Sequence, residues 1–230
     1  MKLFVFFPVY LLFVTIALAQ DITGKVTDSL YKEDQFYIGA TYNSIGNKPD
    51  SLSQNGFSLG FHIGFIKDIP LNKKRNRAIG IGLGYATNSY IQNMLIKKDA
   101  LGNFEYSIIG ADINFTKNKF SEHLIEMPIE FRWRTSTVQS YKFWRIYLGA
   151  KLAYAFASRS KFKGDLGEFK YGNTSNFNTF QYGITLAAGY NTWNIYINYV
   201  LSPIFEDGAM LNGKPIDANA IKIGLMFYIL

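Results

Sequence analysis

Two residues of this chain have the types and spacing of a hydrolytic pair: Ser121 and His123 lie two apart, beside Glu122. On one face of a strand, a histidine next to a serine can take the hydroxyl proton and leave a nucleophile. No orienting third group or oxyanion donor can be named for the pair, so no catalytic residue is assigned and a surface hydrolase remains only an alternative. The other histidine, His62, has no partner at metal-ligand spacing, and the chain has no cysteine. Thiolate chemistry, disulfides and cysteine-based metal sites are thereby excluded, and neither metal nor cofactor is expected. Charged residues spaced by two are more numerous. Glu126, Glu130, Arg132 and Arg134 fall in one row, and Arg145 and Lys151 in another. Side chains two apart on a strand share a face, so these six residues form an ion-pair network if their strands are neighbours.

What must position these rows is a set of strands. Beyond the first 20 residues no apolar run approaches the roughly 18 residues of a spanning helix. Alternation of period two recurs instead, and it predicts eight strands at about 35–45, 56–67, 77–91, 121–135, 143–158, 177–190, 192–202 and 219–230. In the fourth, Ile125, Met127, Ile129, Phe131 and Trp133 alternate with Glu126, Pro128, Glu130, Arg132 and Arg134. In the fifth, Trp144, Ile146, Leu148, Ala150, Leu152, Tyr154 and Phe156 alternate with Arg145, Tyr147, Gly149, Lys151, Ala153 and Ala155. The second and third strands set apolar rows against Gly60, His62 and Gly64 and against Gly80, Gly82 and Gly84.

Two barrels carry such faces, and each is the other turned inside out. A soluble barrel holds its oil inside, whereas a membrane barrel turns the oil to lipid and keeps polar groups in the lumen. Glycines crowded onto the polar face suit the narrow interior of eight strands, while facing water they would only weaken them. Aromatic residues are 17% of the chain and charged residues 18%, against about 25% charged in an average soluble domain. Trp133, Trp144 and Trp193 adjoin the expected turns 136–142 and 191–192 at one end of the barrel and read as an interfacial aromatic girdle. The predicted fold is all-β: a transmembrane, antiparallel up-and-down β-barrel of about eight strands. Pro128 lies inside a strand with no edge on which to hide its missing N–H, and this predicts a bulge or bend there.

Residues 1–19 read as a cleaved signal peptide: Lys2, an apolar run from Leu3 to Ile16, and Ala17-Leu18-Ala19 as a small-x-small cleavage site. Residues 20–34 form a short periplasmic segment and 35–230 the barrel. The location is the bacterial outer membrane. Segments 46–55, 92–120, 159–176 and 203–218 exceed the turns 136–142 and 191–192 in length, which puts both termini in the periplasm and the longer loops outside. The remaining turn, 68–76, carries Lys73, Lys74 and Arg75, followed by Arg77, and reads as a solvated turn, contact with acidic partners or lipid headgroups being the alternative. The net charge of +7 is dispersed, and with export it excludes nucleic acid as a partner. Outer-membrane lipid and lipopolysaccharide are expected partners. Lys222, Gly224, Phe227 and Ile229 have the look of a C-terminal signal for the barrel-assembly machinery, which is a further partner; the other reading is a last strand with ordinary alternation.

Ile125-Glu126-Met127-Pro128-Ile129 with Arg132, followed by Arg145-Ile146-Tyr147 and Gly149, resembles the PorT-like outer-membrane β-barrel family of Bacteroidota. Ile146 stands where the PorT subgroup has Pro in an Arg-Pro-Tyr. The resemblance implies an outer-membrane location and, for PorT itself, a part in type IX protein secretion, so components of that system are the implied partners. The expected function is a non-enzymatic barrel serving as accessory or scaffold to secretion. A small passive pore or ligand-binding barrel is the alternative.

Overall fold

The computed structural model describes residues 34–135, 143–172 and 176–229, so the expected signal peptide, nearly all of the 20–34 segment, the turn 136–142 and Leu230 lie outside the described residues. Eight strands close into one barrel: β1 (Gln35–Gly46), β2 (Leu59–Pro70), β3 (Arg77–Ile91), β6 (Phe115–Arg134), β7 (Trp144–Gly164), β9 (Phe180–Tyr190), β10 (Trp193–Val200) and β13 (Asn219–Ile229). Each pairs antiparallel with the next in this series, and β13 returns to β1, with Ile38 opposite Phe227. All eight expected strands are present. The fourth and fifth are longer than alternation suggested, because β6 and β7 continue past their apolar rows as a ribbon joined by β8 (Gly167–Gly172).

The apolar rows face outward. Ile125, Ile129 and Phe131 of β6 and Ile146, Leu148 and Tyr154 of β7 are exposed, while Glu126, Glu130, Arg132, Arg145 and Lys151 are buried. A ring of hydrocarbon around a charged axis is stable only where the outer solvent is lipid. Trp144 is 60% exposed and packs on Tyr190; Trp193 is 62% exposed and packs edge-on against Phe227. Trp133 stands between Arg77 and Ile146 at the same end.

The bulge expected at Pro128 is a correction. Pro128 stays in register with Lys151 on β7, and β3 pairs Ile81 with Ile129 and Gly84 with Glu126 without an offset. Only the pairings of Gly82 and Leu83 are missing. The absent N–H is thus met by a short gap in the β3 ladder rather than by an extra residue. Gly82 makes the gap possible: a Cβ there would lie 3.0 Å from the proline Cγ and 2.6 Å from Phe65 O. The register shifts fall elsewhere. His123 pairs with Ala157 and Leu124 with Ala155, which leaves Phe156 of β7 as the extra residue, and a second shift lies between Phe115 and Lys117.

The long-loop end is not a set of bare loops. Segment 92–120 folds into the hairpin β4 (Met94–Lys98) and β5 (Phe104–Ile108), and segment 203–218 into β11 (Met210–Leu211) and β12 (Lys214–Pro215). The β11–β12 turn is Asn212-Gly213, with φ of 52° and 76°, the left-handed pair that a two-residue hairpin requires. Leu211 and Tyr106 join the hairpins in parallel. Beneath them Tyr90, Met94, Phe120, Phe177, Phe205 and Ile216 form an apolar core.

At the tip of the first hairpin, the Asp99 carboxylate accepts the N–H groups of Leu101 and Asn103, both at 2.8 Å. These backbone bonds hold its pKa below the ordinary carboxylate value. A depressed folded-state pKa means that the turn's stabilisation is complete above the unfolded value and fades as pH falls through the lower one. The Leu101 and Asn103 amide resonances should therefore titrate together with a midpoint below the usual aspartate range, and Asp99→Asn should abolish that titration.

Candidate functional site

The charged axis is built in three layers. At the short-turn end, β2 aims Asp68 inward, two residues beyond Ile66 in the row that begins with Gly60. Its Oδ1 accepts Arg132 Nη1 at 3.0 Å and Arg134 Nη1 at 3.1 Å, and its Oδ2 accepts Arg134 Nη2 at 2.6 Å. Arg132 also donates to Gln35 Oε1 and lies 4.1 Å over the Tyr147 ring. Its stem crosses Gly80, where a Cβ would come within 2.6 Å of Arg132 Cδ. Glycine on β3 is what lets the guanidinium reach across to β2.

The middle layer centres on Glu126. Lys151 Nζ donates to Oε2 at 2.9 Å and Tyr37 Oη to Oε1 at 3.0 Å, while His62 Nδ1 lies 3.2 Å from Oε2. Above it Glu122 accepts Asn88 Nδ2 at 3.0 Å and Gln181 Nε2 at 2.7 Å, with Lys222 Nζ at 3.7 Å. The space left between Glu126, Lys151 and Lys222 is about 10 Å³, about the least that a single water needs. Charged and polar side chains thus occupy the axis in each of the three layers.

Not all six residues predicted to form the network meet one another. Glu126 and Lys151 pair directly; Glu130 and Arg132 approach only to 3.8 Å. Arg134 reaches Asp68, which lies outside the six. Arg145 is buried, stacks 4.5 Å over Phe143, and among the described residues has no hydrogen-bond partner for Nε or Nη1. Sequence reasoning places Asp68 in the 68–76 turn and so misses the residue that joins the two arginines. It also missed Tyr37 and Glu122 as members, and read Lys222 only as part of an assembly signal. Parity could have found Asp68, since Gly60, His62, Gly64, Ile66 and Asp68 form one inward row.

The remaining candidates lie on the walls. Gly224 packs against β1, where a Cβ would meet Ala40 O at 2.0 Å, while Phe227 and Ile229 belong to the outward row of β13. Ser121 and His123 also face outward, on β6. The ring Nδ1 of His123 is 2.6 Å from Tyr85 Oη, and the two rings stack. Glu122 points the other way, into the lumen, so the three consecutive residues do not converge.

A closed eight-strand barrel with an oil-covered wall and a charged interior defines a transmembrane β-barrel. The chain belongs to the family of the outer membrane protein beta-barrel domain, whose model matches residues 19–206. This places it in the outer membrane. No curated protein matches it. Among solved structures it is similar to Ail, the attachment invasion locus protein of Yersinia pestis, solved in complex with the heparin analogue sucrose octasulfate. That chain is 12% identical, the match covers 87% of this chain and 100% of that one, and the TM-score is 0.37.

Proposed function

We propose that this protein is a non-enzymatic, non-conducting barrel that holds a folded platform at the membrane surface, an accessory or scaffold of protein secretion of the type IX kind. The observation that carries this reading is a lumen closed by ion pairs beneath loops with an apolar core of their own. A pore needs a wetted axis, whereas a scaffold needs a rigid anchor and a shaped end. The resemblance of Ile125–Gly149 to PorT-like chains supports the secretion role and an origin in Bacteroidota. In this reading the long-loop end faces outward, both termini are periplasmic, and residues 1–19 are removed on export. The barrel-assembly machinery reads β13, and the standing partners are lipid, lipopolysaccharide and components of the secretion system.

Deleting the gene should remove secreted proteins from the medium while leaving outer-membrane permeability to small dyes unchanged. The purified barrel should show no steady conductance in planar bilayers. Unaffected secretion would remove the secretion role, and a stable open channel would remove the plug.

A further inference from the structure

The wall of the β6–β7–β8 ribbon presents an unusual row of cations. Lys119 of β6 stands directly opposite Lys161 of β7, which stands opposite Lys170 of β8. One step further Lys117 faces Lys163, and one step back Ser121 faces Arg159. All of these belong to the outward row that continues down β6 through His123 and Ile125. Like charges directly opposite on neighbouring strands destabilise a sheet. The ribbon nevertheless repeats the arrangement across three strands, with the Glu168 carboxylate 3.6 Å from Lys161 Nζ and directly opposite Lys163. Lys117, Lys119, Ser121, Arg159, Lys161 and Lys170 line a groove of about 280 Å³. Such a groove asks for an anion with several oxygens.

Its height says which anion. From Trp133 in the lower girdle to His123 is about ten residues of β6, or about 25 Å of height at about 3.3 Å per residue and about 40° of tilt. That matches the roughly 25 Å apolar band of an outer-membrane barrel. Tyr85, His123 and Phe156, in mutual ring contact, therefore mark the upper edge of the oil. The cationic groove begins one step above that edge and shares its wall. A soluble anion has no reason to seek a site continuous with acyl-facing residues; an amphiphile does. Its phosphates meet the lysines while its chains lie along Tyr154, Phe156 and Ile125, which are exposed on the same face.

We propose that this groove binds the phosphate groups of a phosphorylated glycolipid in the leaflet at the long-loop end. Naming the glycolipid rests on the outward orientation of that end given above. The groove and its height do not, and proteinase K cleavage of the loops on intact cells reads the orientation separately.

The test uses the refolded full-length barrel in detergent, with bisphosphoryl lipid A and its dephosphorylated counterpart as probes and bound lipid counted by native mass spectrometry. The phosphorylated form should bind at least tenfold more tightly. Lys119→Gln/Lys161→Gln/Lys170→Gln should weaken it by about a hundredfold, at roughly fivefold for each cation near an anionic headgroup. Lys73→Gln/Lys74→Gln/Arg77→Gln, an equal loss of charge at the other end, should leave it unchanged. Equal binding of the two lipids, or full binding by the first triple variant, would overturn the proposal. Displacement by millimolar inorganic phosphate would reassign the groove to a soluble anion and overturn the lipid source.

Discussion

Asp68→Ala should lower the unfolding free energy of the refolded barrel by about 3–5 kcal/mol, the usual cost of stripping one partner from a buried ion pair. Asp68 is the carboxylate that both Arg132 and Arg134 engage, and all three side chains are fully buried. Removing it takes from two buried guanidinium groups the carboxylate that both engage. Gln35 offers a neutral oxygen, and Glu130 approaches Arg132 only to 3.8 Å, so neither replaces the lost charge. Urea unfolding followed by tryptophan fluorescence and by heat-modifiable gel mobility measures the loss. Arg134→Met added to Asp68→Ala should recover part of it, because a charge without a counterion costs more than a well-packed apolar chain. A loss below about 1 kcal/mol, the range of an exposed pair, would show that the layer is hydrated and the plug misread.

Gly84→Ala should cost about 3 kcal/mol through overpacking and a broken hydrogen bond to a charged group. The Tyr37 side chain crosses from β1 over Gly64 and Gly84 to reach Glu126. A Cβ at Gly84 would stand 1.9 Å from Tyr37 Oη and 2.7 Å from Ile63 O. The ring is rigid and the second obstacle is backbone, so neither can yield cheaply. Displacing the tyrosine also takes its hydroxyl from Glu126 and leaves His62 and Lys151 to hold that carboxylate. Tyr37→Phe in the same chain should restore part of the stability by removing the clashing oxygen. Gly208→Ala, with nothing within 4 Å of the added carbon, should change the same unfolding curve by less than about 0.5 kcal/mol. Equal effects at Gly84 and Gly208 would contradict the inward path drawn here for Tyr37.

Much of the barrel was legible because alternation is a local property. Ile125 to Trp133 and Trp144 to Phe156 each show their faces without reference to any other strand, and glycine on the charged face already indicated which side was cramped. The Asn212-Gly213 turn was legible too, from its pair of left-handed residues, yet it went unread inside what was taken as a loop. The β4 strand was hidden for a different reason. Met94, Leu95 and Ile96 are all buried, so no polar alternate row betrays the strand. At Pro128 a correct premise led to the wrong outcome: the N–H is missing, but whether a sheet answers with an extra residue or with a gap depends on the partner strand, here on Gly82.

The amino-acid order alone therefore determined the number of barrel strands, the two faces and the lipid solvent, since each follows from which side chains recur every second residue. It could not determine which charges meet. Glu126 and Lys151 are 25 positions apart, Asp68 and Arg134 are 66 apart, and such pairings are set by the stagger of neighbouring strands and by glycines that let a side chain cross them. Only strand pairing decided that Asp68 joins two arginines and that Lys119, Lys161 and Lys170 stand in one row. Pairing brings residues remote in the chain into register, and ionic contacts reach only a few ångströms, so partners follow from the register and not from residue type.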